Sequence, residues 1–545
     1  MDHIELTLLS LLLAVTALTA LARVLNVPYP ILLVIGGSLL GFVPGLPDVE
    51  LDPDLVLLVF LPPLLFIAAY FSSPRELRRL ARTITLNAIG LVVLTACTVA
   101  VIAHALVPDL SWAVAFTLGA ICAPTDPLAA TAIARRLGVP ARLVSGIEGE
   151  SLVNDGSALV IYRVAVAAAV GGSFDLLSAG GEFVVNVVGG IAIGLAVGYA
   201  LLPLFRRALA DPLLHVTMSL VAGFLAYIPA EQLDVSGVLG AVTVGLVLCW
   251  HAPQITDPLV RMTGYAFWDV LVFLLNALLF VLVGFQLHSI VEHQDRSLPT
   301  LLGLGAAVSA TVILTRMVWL NTIPYVIRTL DRRPQQRLMR IGWRMRMVGA
   351  WSGMRGAVSL AAALALPLDF PERDLVLFLA LCVIFATLVA QGLTLPWLIR
   401  KLGIEDDGVS EREELLARRA ATDAAIARLH ELREAEWTRD STVRFLLKNF
   451  DVRQRRLAQV AGERALEQDG EDLGDHTHAR TRLVKALIDT QRAVVVGLRN
   501  DGTISDEVMR TLERELDLEE LGLAPYMGTA DAEASVERAD SAERP

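Results

Sequence analysis

A helix that crosses a bilayer needs about 20 mostly apolar residues, and little else in a sequence constrains a fold so tightly. The chain supplies thirteen such stretches before residue 402, at 4–22, 27–43, 54–71, 83–107, 112–134, 144–170, 183–205, 213–229, 235–251, 267–288, 299–327, 347–367 and 374–399. Over 545 residues, 54% are hydrophobic and only 19% charged, too apolar a balance for a soluble protein of that length. The expected fold is therefore all-α and polytopic, and fibrous, disordered and disulfide-scaffold classes are excluded. Cys97, Cys122, Cys249 and Cys382 all fall inside apolar stretches, with no C-x-x-C pair to suggest a zinc or disulfide site. The first stretch starts at Ile4 without a basic leader, so it reads as a retained helix rather than a cleaved signal peptide.

Loop charge sets the orientation, because Lys and Arg stay on the cytoplasmic side. With the N-terminus outside, the inner loops collect Arg23; Arg75, Arg78, Arg79 and Arg82; Arg135, Arg136 and Arg142; Arg206 and Arg207; Arg261; and a run from Arg328 to Arg346. The outer loops hold only Arg296 and Arg373, with acids such as Asp48, Glu50, Asp52 and Asp54. Eighteen arginines against two also argue for an odd number of spans, since losing one scrambles the alternation. The C-terminus is then cytoplasmic.

Of 57 acidic residues, 32 lie from Ile404 onward, with 21 of the 46 basic ones. The tail thus accounts for the whole net charge of −11 and the membrane part is neutral. The plan is a membrane domain over 1–402, a helical cytoplasmic domain over 403–526 and a disordered acidic tail over 527–545. Three tail stretches show helical spacing: "SEREELLARRAATDAAIARLHELREAE", "TVRFLLKNFDVRQRRL" and "DEVMRTLERELDLEELGL". An acidic tail argues against a nucleic-acid partner. The absence of G-x-x-x-x-G-K-[ST] argues against a bound nucleotide, and no cofactor is implied.

Ionisable groups inside spans are expensive, about 2.5–3.5 kcal/mol each on insertion scales, and so mark function. In span 5, "AICAPTDPLAATAI" sets Thr125 and Asp126 between Pro124 and Pro127. Each proline removes a backbone donor, which predicts an unwound stretch with free carbonyls lining a polar cavity. A simple proline kink with a hydrogen-bonded Asp is the plainer alternative. In span 6, "GIEGESLVNDGSALVIY" carries Glu148, Glu150, Ser151, Asn154 and Asp155. Ser151 and Asp155 are i, i+4, as are Glu150 and Asn154, so each pair shares a helix face. A hydroxyl and a carboxylate facing one point suit a hard monovalent cation, which prefers oxygen ligands. Glu148 lies nearer the cytoplasmic end, where solvation is its plainer role. In span 12, Arg355 sits between Gly353 and Gly356, either snorkelling to the interface or neutralising helix ends or an acid. Arg316 in span 11 is deep enough to need a partner; Glu150 is the best candidate, with Glu150–Arg355 as the other pairing.

Spans 1–6 and 8–13 form two halves, and the interrupted span is the fifth of each. Broken helices at matching positions point to a transporter site at a repeat interface. The offset of seven spans makes the repeats inverted. Asn276 and Gln286 read as helix-bridging residues, and His104, His215, His251 and His288 as wet structural histidines near span ends. Gly36, Gly37 and Gly41, like Gly189, Gly190, Gly194 and Gly198, read as close helix packing.

These motifs carry a family resemblance. "LPPLLF", "TDP", "GESLVNDGSALVIY", "WDVLVFLLNALLFVLVGFQL" and "GMRGAVSLAAALALP" resemble the monovalent cation:proton antiporters of the sodium/proton exchanger branch over residues 1–400. The tail segment "DGTISDEVMRTLERELDLEE" is similar to a bacterial subset, the arginine-rich, lysine-poor composition fits a high-GC bacterium, and the expected location is the bacterial plasma membrane. The resemblance implies thirteen helices, a homodimer in lipid and a moving core with two crossed, broken helices. It implies Asp155 as the shared site for Na+ (or K+ or Li+) and H+, with Thr125, Asp126, Ser151 and Asn154 around it. Glu150–Arg316 would be a structural ion pair, and Arg355 a compensator of helix dipoles. Relatives often carry an acid directly after the "LPPLLF" run, where this chain has Ile67.

The expected mechanism is competition. A carboxylate withdrawn from water holds its proton nearer neutral pH, so it keeps either a proton or a cation. If the core moves only when Asp155 is neutralised, exchange is obligatory. Asn154 in place of a second acid removes a titrating charge, which predicts one H+ per cation and no net current. A gated channel and a membrane receptor are the rivals, and filter repeats or a signalling motif are absent from the sequence. An enzyme is not expected, since H-E-x-x-H is also absent.

Overall fold

A computed structural model describes residues 2–25, 28–41, 53–171, 176–209, 211–292, 296–330, 341–404, 408–435, 437–460 and 477–521. Among them every regular element is helical. Two compact units emerge: Met1–Ala208, Leu214–Ala252 and Ala266–Asp406 make the first, and Leu209–Leu213, Pro253–Tyr265 and Asp407–Pro545 the second.

The first unit opens with α1 (Asp2–Leu25), α2 (Tyr29–Gly41) and α3 (Pro53–Tyr70). α4 (Pro74–Thr85) passes through a π-helical turn at Leu86–Leu91 into α5 (Val92–Leu106). α6 (Trp112–Cys122) and α7 (Pro127–Arg136) are two halves of one span, followed by α8 (Ala141–Gly171) and α9 (Leu176–Arg207). Next come α10 (Pro212–Gln232), α11 (Gly237–Ile255), α12 (Pro258–Glu292) and α13 (Leu298–Leu330). α14 (Trp343–Trp351) and α15 (Ala357–Leu364) form a second divided span. α16 (Arg373–Ala386) runs through another π turn, Thr387–Gln391, into α17 (Gly392–Leu402).

Nine helices among the described residues are long and apolar enough to cross a membrane, and three shorter apolar ones lie at Leu11–Ala22, Tyr29–Gly41 and Leu55–Tyr70. With α14–α15 these occupy the thirteen positions read from the sequence. The chain is an all-α polytopic membrane protein. The glycine stripe of α9 does pack closely: a Cβ on Gly194 would stand 2.6 Å from the carbonyl oxygen of Gly240 on α11.

Four expectations need correction. Arg75, Arg78, Arg79 and Arg82 lie on α4, not in a loop. Ser73 starts that helix, accepting from the backbone N–H of Glu76 at 3.2 Å, with Pro74 at its first position. His215 is not wet. It is buried edge-on against Phe205 at 4.7 Å, with neither ring nitrogen hydrogen-bonded among the described residues. Asn276 does not bridge helices through its amide, which donates at 2.8 Å to Val272 of its own helix. Lastly, the described residues of the tail show four helices rather than three: α18 (Val409–Leu432), α19 (Asp440–Val460), α20 (Thr477–Asn500) and α21 (Asp506–Leu521). The dense charge at the start of α20 hides its apolar face, which buries Leu483, Leu487 and Val495. The side chains of Gln286 and His288, and the acidic segment 527–545, lie outside the described residues.

Candidate cation site between two broken helices

The sequence breaks both divided helices for local reasons. After Cys122, Pro124 and Pro127 cannot donate, so α6 stops and the backbone is extended at Asp126, with φ −91° and ψ 119°. The Asp126 side chain then starts α7, accepting from the Leu128 N–H at 2.9 Å. In the second span, α14 ends at Trp351 and α15 begins at Ala357, leaving Ser352–Gly356 unwound.

The two unwound segments lock together. The Asp126 N–H donates to the Met354 carbonyl at 2.8 Å. In return, Arg355 Nε donates to the Cys122 carbonyl at 2.9 Å. Arg355 Nη1 donates to Gly353, and its backbone N–H donates to Thr387 Oγ1 at 3.1 Å. Arg355 is fully buried, so it does not snorkel. Its guanidinium instead satisfies the carbonyl at the C-terminal end of α6 and one in the unwound segment just past the C-terminal end of α14, where helix dipoles are negative. Asp126 does the opposite, accepting backbone hydrogen bonds from Leu128 at the start of α7 and Ala357 at the start of α15. One acid therefore faces two helix N-termini, and one base two C-termini.

This geometry needs Gly356, because a Cβ there would run into the Asp126 carboxylate. Gly356→Ala is expected to destabilise the crossing by about 1–3 kcal/mol, the usual range for overpacking. The check is thermal melting of the detergent-solubilised protein against wild type; an unchanged melting temperature contradicts the crowding.

α8 lays its polar face across the first break. Ser151 Oγ donates to the Thr125 carbonyl, and Asn154 Nδ2 donates to Thr125 Oγ1 at 2.8 Å. Thr125, Ser151, Asn154 and Asp155 are all buried. Asp155 Oδ1 and Asn154 Oδ1 have no hydrogen-bond partner among the described residues. Asp155 is also within electrostatic reach of the Asp126 carboxylate. The structure thus brings Thr125, Asp126, Ser151, Asn154 and Asp155 to one place, with two buried acceptor oxygens unpaired. Ile67 is buried on α3, a helix that packs against α8 and α15.

Glu150 faces elsewhere. Five residues along a helix turn it roughly 140° from Asp155. Arg316 Nη1 donates to Glu150 Oε1, with both side chains buried. Arg316 Nη2 donates to the Gly349 carbonyl at 3.2 Å, so α13 also holds α14. Asn87 Nδ2 donates to Glu150 Oε2 at 2.9 Å, and Trp319 Nε1 donates to Asn87 Oδ1 at 3.0 Å. Glu148 pairs with Arg135 at 2.8 Å in a partly solvated position.

The sequence reading missed Asn87, Trp319 and Thr387. Asn87 and Thr387 both sit in π turns, which commonly mark functional sites but leave no pattern in a sequence. Asn87 is an amide in the apolar run "LNAIGLVV", and that isolation was the available signal.

Two interlocked broken helices beside a buried carboxylate, in a bundle of apolar helices, define a secondary transporter. The chain belongs to the sodium/hydrogen exchanger family, whose transmembrane domain matches residues 9–401. It is 36% identical over 536 residues to a Mycobacterium tuberculosis protein named an uncharacterized Na(+)/H(+) exchanger, covering 96% of this chain and 97% of that one. It is 34% identical to the Na(+)/H(+) antiporter ApNhaP of Aphanothece halophytica over 78% and 80% of the two chains. The fold is similar to that of the sodium proton antiporter MjNhaP1 from Methanocaldococcus jannaschii, with a TM-score of 0.58 at 18% identity, covering 73% of this chain and 99% of that one.

Proposed function

We propose that the protein exchanges Na+ for H+, one for one, by alternating access with Asp155 as the shared site. The observation that carries this reading is that Asp155 Oδ1, like Asn154 Oδ1, is buried without a hydrogen-bond partner among the described residues. A buried carboxylate oxygen without a donor is costly unless a proton or a cation occupies it. Thr125 and Ser151 offer further oxygens, but the Thr125 hydroxyl already accepts from Asn154 and the Ser151 hydroxyl already donates to the Thr125 carbonyl. Asp126 contributes its negative charge while it holds two helix starts. In this reading Arg355 and Asp126 cancel the dipoles of four helix ends, so the site's net charge is set by the occupant of Asp155.

The homodimer, the bacterial plasma membrane and the outside N-terminus belong to the same proposal, the last supported by the arginine asymmetry. K+/H+ exchange is the second reading. Ile67 favours it, because an apolar side chain replaces an oxygen ligand and loosens the selection of a small cation.

The test is proton flux in proteoliposomes with a pH-sensitive dye, adding Na+, Li+ and K+ in turn. Na+ is expected to collapse a preset proton gradient most strongly, and equal rates with K+ shift the reading to K+/H+ exchange. Imposed membrane voltage is expected to leave the rate unchanged; a rate that tracks voltage contradicts the one-for-one stoichiometry.

A further inference from the structure

α8 carries Asp155 at its middle and a second charge, Arg163, eight residues further on. That is about 12 Å along the helix axis. Arg163 takes no part in the cation site. Its Nη2 donates to Glu231 Oε1 near the end of α10, and its Nη1 donates to the Val235 carbonyl at 3.4 Å, in the turn between α10 and α11. The same Glu231 oxygen accepts the N–H of Gly237, the first residue of α11, at 3.0 Å. The turn is itself well tied. The Val235 N–H donates to the Ala230 carbonyl at 2.9 Å, and the Ser236 N–H to the Asn186 carbonyl of α9 at 3.2 Å. Glu231 and Val235 therefore present a fixed anchor to Arg163.

The other polar anchors of α8 lead elsewhere. Ser151 and Asn154 bond to Thr125 in the first break, and Glu150 to Arg316 of α13. These are buried, so α8 is bound to the crossing of the broken helices and has to move with it. Toward α11 it shows a different face. Gly156 and Arg163 are seven residues apart and share that face. At Gly156, beside Asp155, the neighbour is apolar: a Cβ there would stand 2.7 Å from Leu239 Cδ2 of α11. Apolar contact is non-directional and lets one helix slide past another, whereas a hydrogen bond fails once its distance and angle are lost. The position of α8 along α11 is thus set at the Arg163 contacts. The exposure of the pair suits it to opening. Its side chains are 29% and 31% exposed, against 2% and 7% for Arg316 and Glu150. A partly wet pair contributes little and is easily exchanged for water; a dry one strands a charge when it parts.

We propose that the Arg163–Glu231 pair is a latch that holds α8 against the α10–α11 turn, keeps Asp155 closed toward that end of the membrane, and opens once in every exchange cycle. The proposal rests on the antiporter reading above, and in the orientation given there the latched end is the outer one.

The test uses the full-length protein in two ways. First, wild type, Arg163→Gln and Glu231→Gln are compared in right-side-out and everted vesicles from host cells stripped of their own cation/proton antiporters, with the cation that drives wild-type flux fastest. Unlatching raises the fraction of molecules open to the outside, and apparent affinity from that side rises with the fraction. The half-saturating cation concentration is expected to fall about threefold in right-side-out vesicles of both variants and not to fall in everted ones. A fall on both sides, a rise outside or no change overturns the latch. Second, Arg163→Cys with Glu231→Cys is joined by a short, reducible bifunctional thiol reagent, and each single cysteine variant controls for Cys97, Cys122, Cys249 and Cys382. Linking is expected to lower flux at least about tenfold, with recovery on reduction. Full flux from the linked protein overturns the opening step, and failure to link in a protein that melts like wild type overturns the contact. The two glutamine variants carry the test independently of the cysteine pair. A wild type without cation-linked flux overturns the antiporter reading and the latch with it, whereas an active wild type with any contrary result above overturns the latch alone.

Discussion

Asp155→Asn is expected to abolish cation-linked proton flux and leave the fold intact. Asparagine matches aspartate in size, and Asp155 Oδ1 has no hydrogen-bond partner among the described residues to lose. The neighbouring anchors of α8 are other residues, Ser151 and Asn154, and both bond to Thr125. An amide neither releases a proton near neutral pH nor balances a cation's charge, so both limbs of the exchange fail together. The expected fall is at least about a hundredfold, about 2.7 kcal/mol in the rate-limiting step. Proteoliposome flux and thermal melting are measured on the same preparation. Wild-type flux from a variant that melts like wild type removes Asp155 from the mechanism.

How much of this was legible beforehand differs by residue. The thirteen spans and the break at Asp126 follow from one-dimensional rules, because bilayer thickness fixes helix length and a proline forbids a donor wherever it stands. The shared face of Ser151 and Asp155 follows in the same way from helical spacing. The lock between the breaks does not. Nothing in "GMRGA" says that Arg355 will reach the Cys122 carbonyl, 233 residues away in the chain. Spacing also left Glu150 with two arginine candidates; choosing between them depends on how α13 packs, which lies in no short pattern. His215 was misjudged for a similar reason, since a residue near a span end is wet or dry according to its neighbours, here Phe205. The Arg163–Glu231 pair was least legible of all, since no spacing or motif joins two charges 68 residues apart near the ends of separate spans.

Breaking the Glu150–Arg316 pair is expected to damage the fold more than any other single change at the site. Both side chains are buried, so Arg316→Ala leaves the Glu150 carboxylate with Asn87 as its remaining side-chain donor among the described residues. It also removes the hydrogen bond from Arg316 to Gly349, and with it the link between α13 and α14. Stranding one member of a buried pair typically costs about 3–5 kcal/mol. The expected result is a sharply lower yield of folded protein and a much lower melting temperature in detergent. Removing both charges by Glu150→Gln with Arg316→Gln leaves no stranded ion, so the double variant is expected to recover part of that stability, as charge-neutral replacements of buried pairs do. Because Glu150 and Asp155 point roughly 140° apart on α8, the double variant is also expected to retain cation-linked proton flux at a reduced rate. That combination separates a residue that holds the site from one that carries the ion. A double variant that melts like wild type but transports nothing would place Glu150 in the ion path, contrary to the geometry of α8.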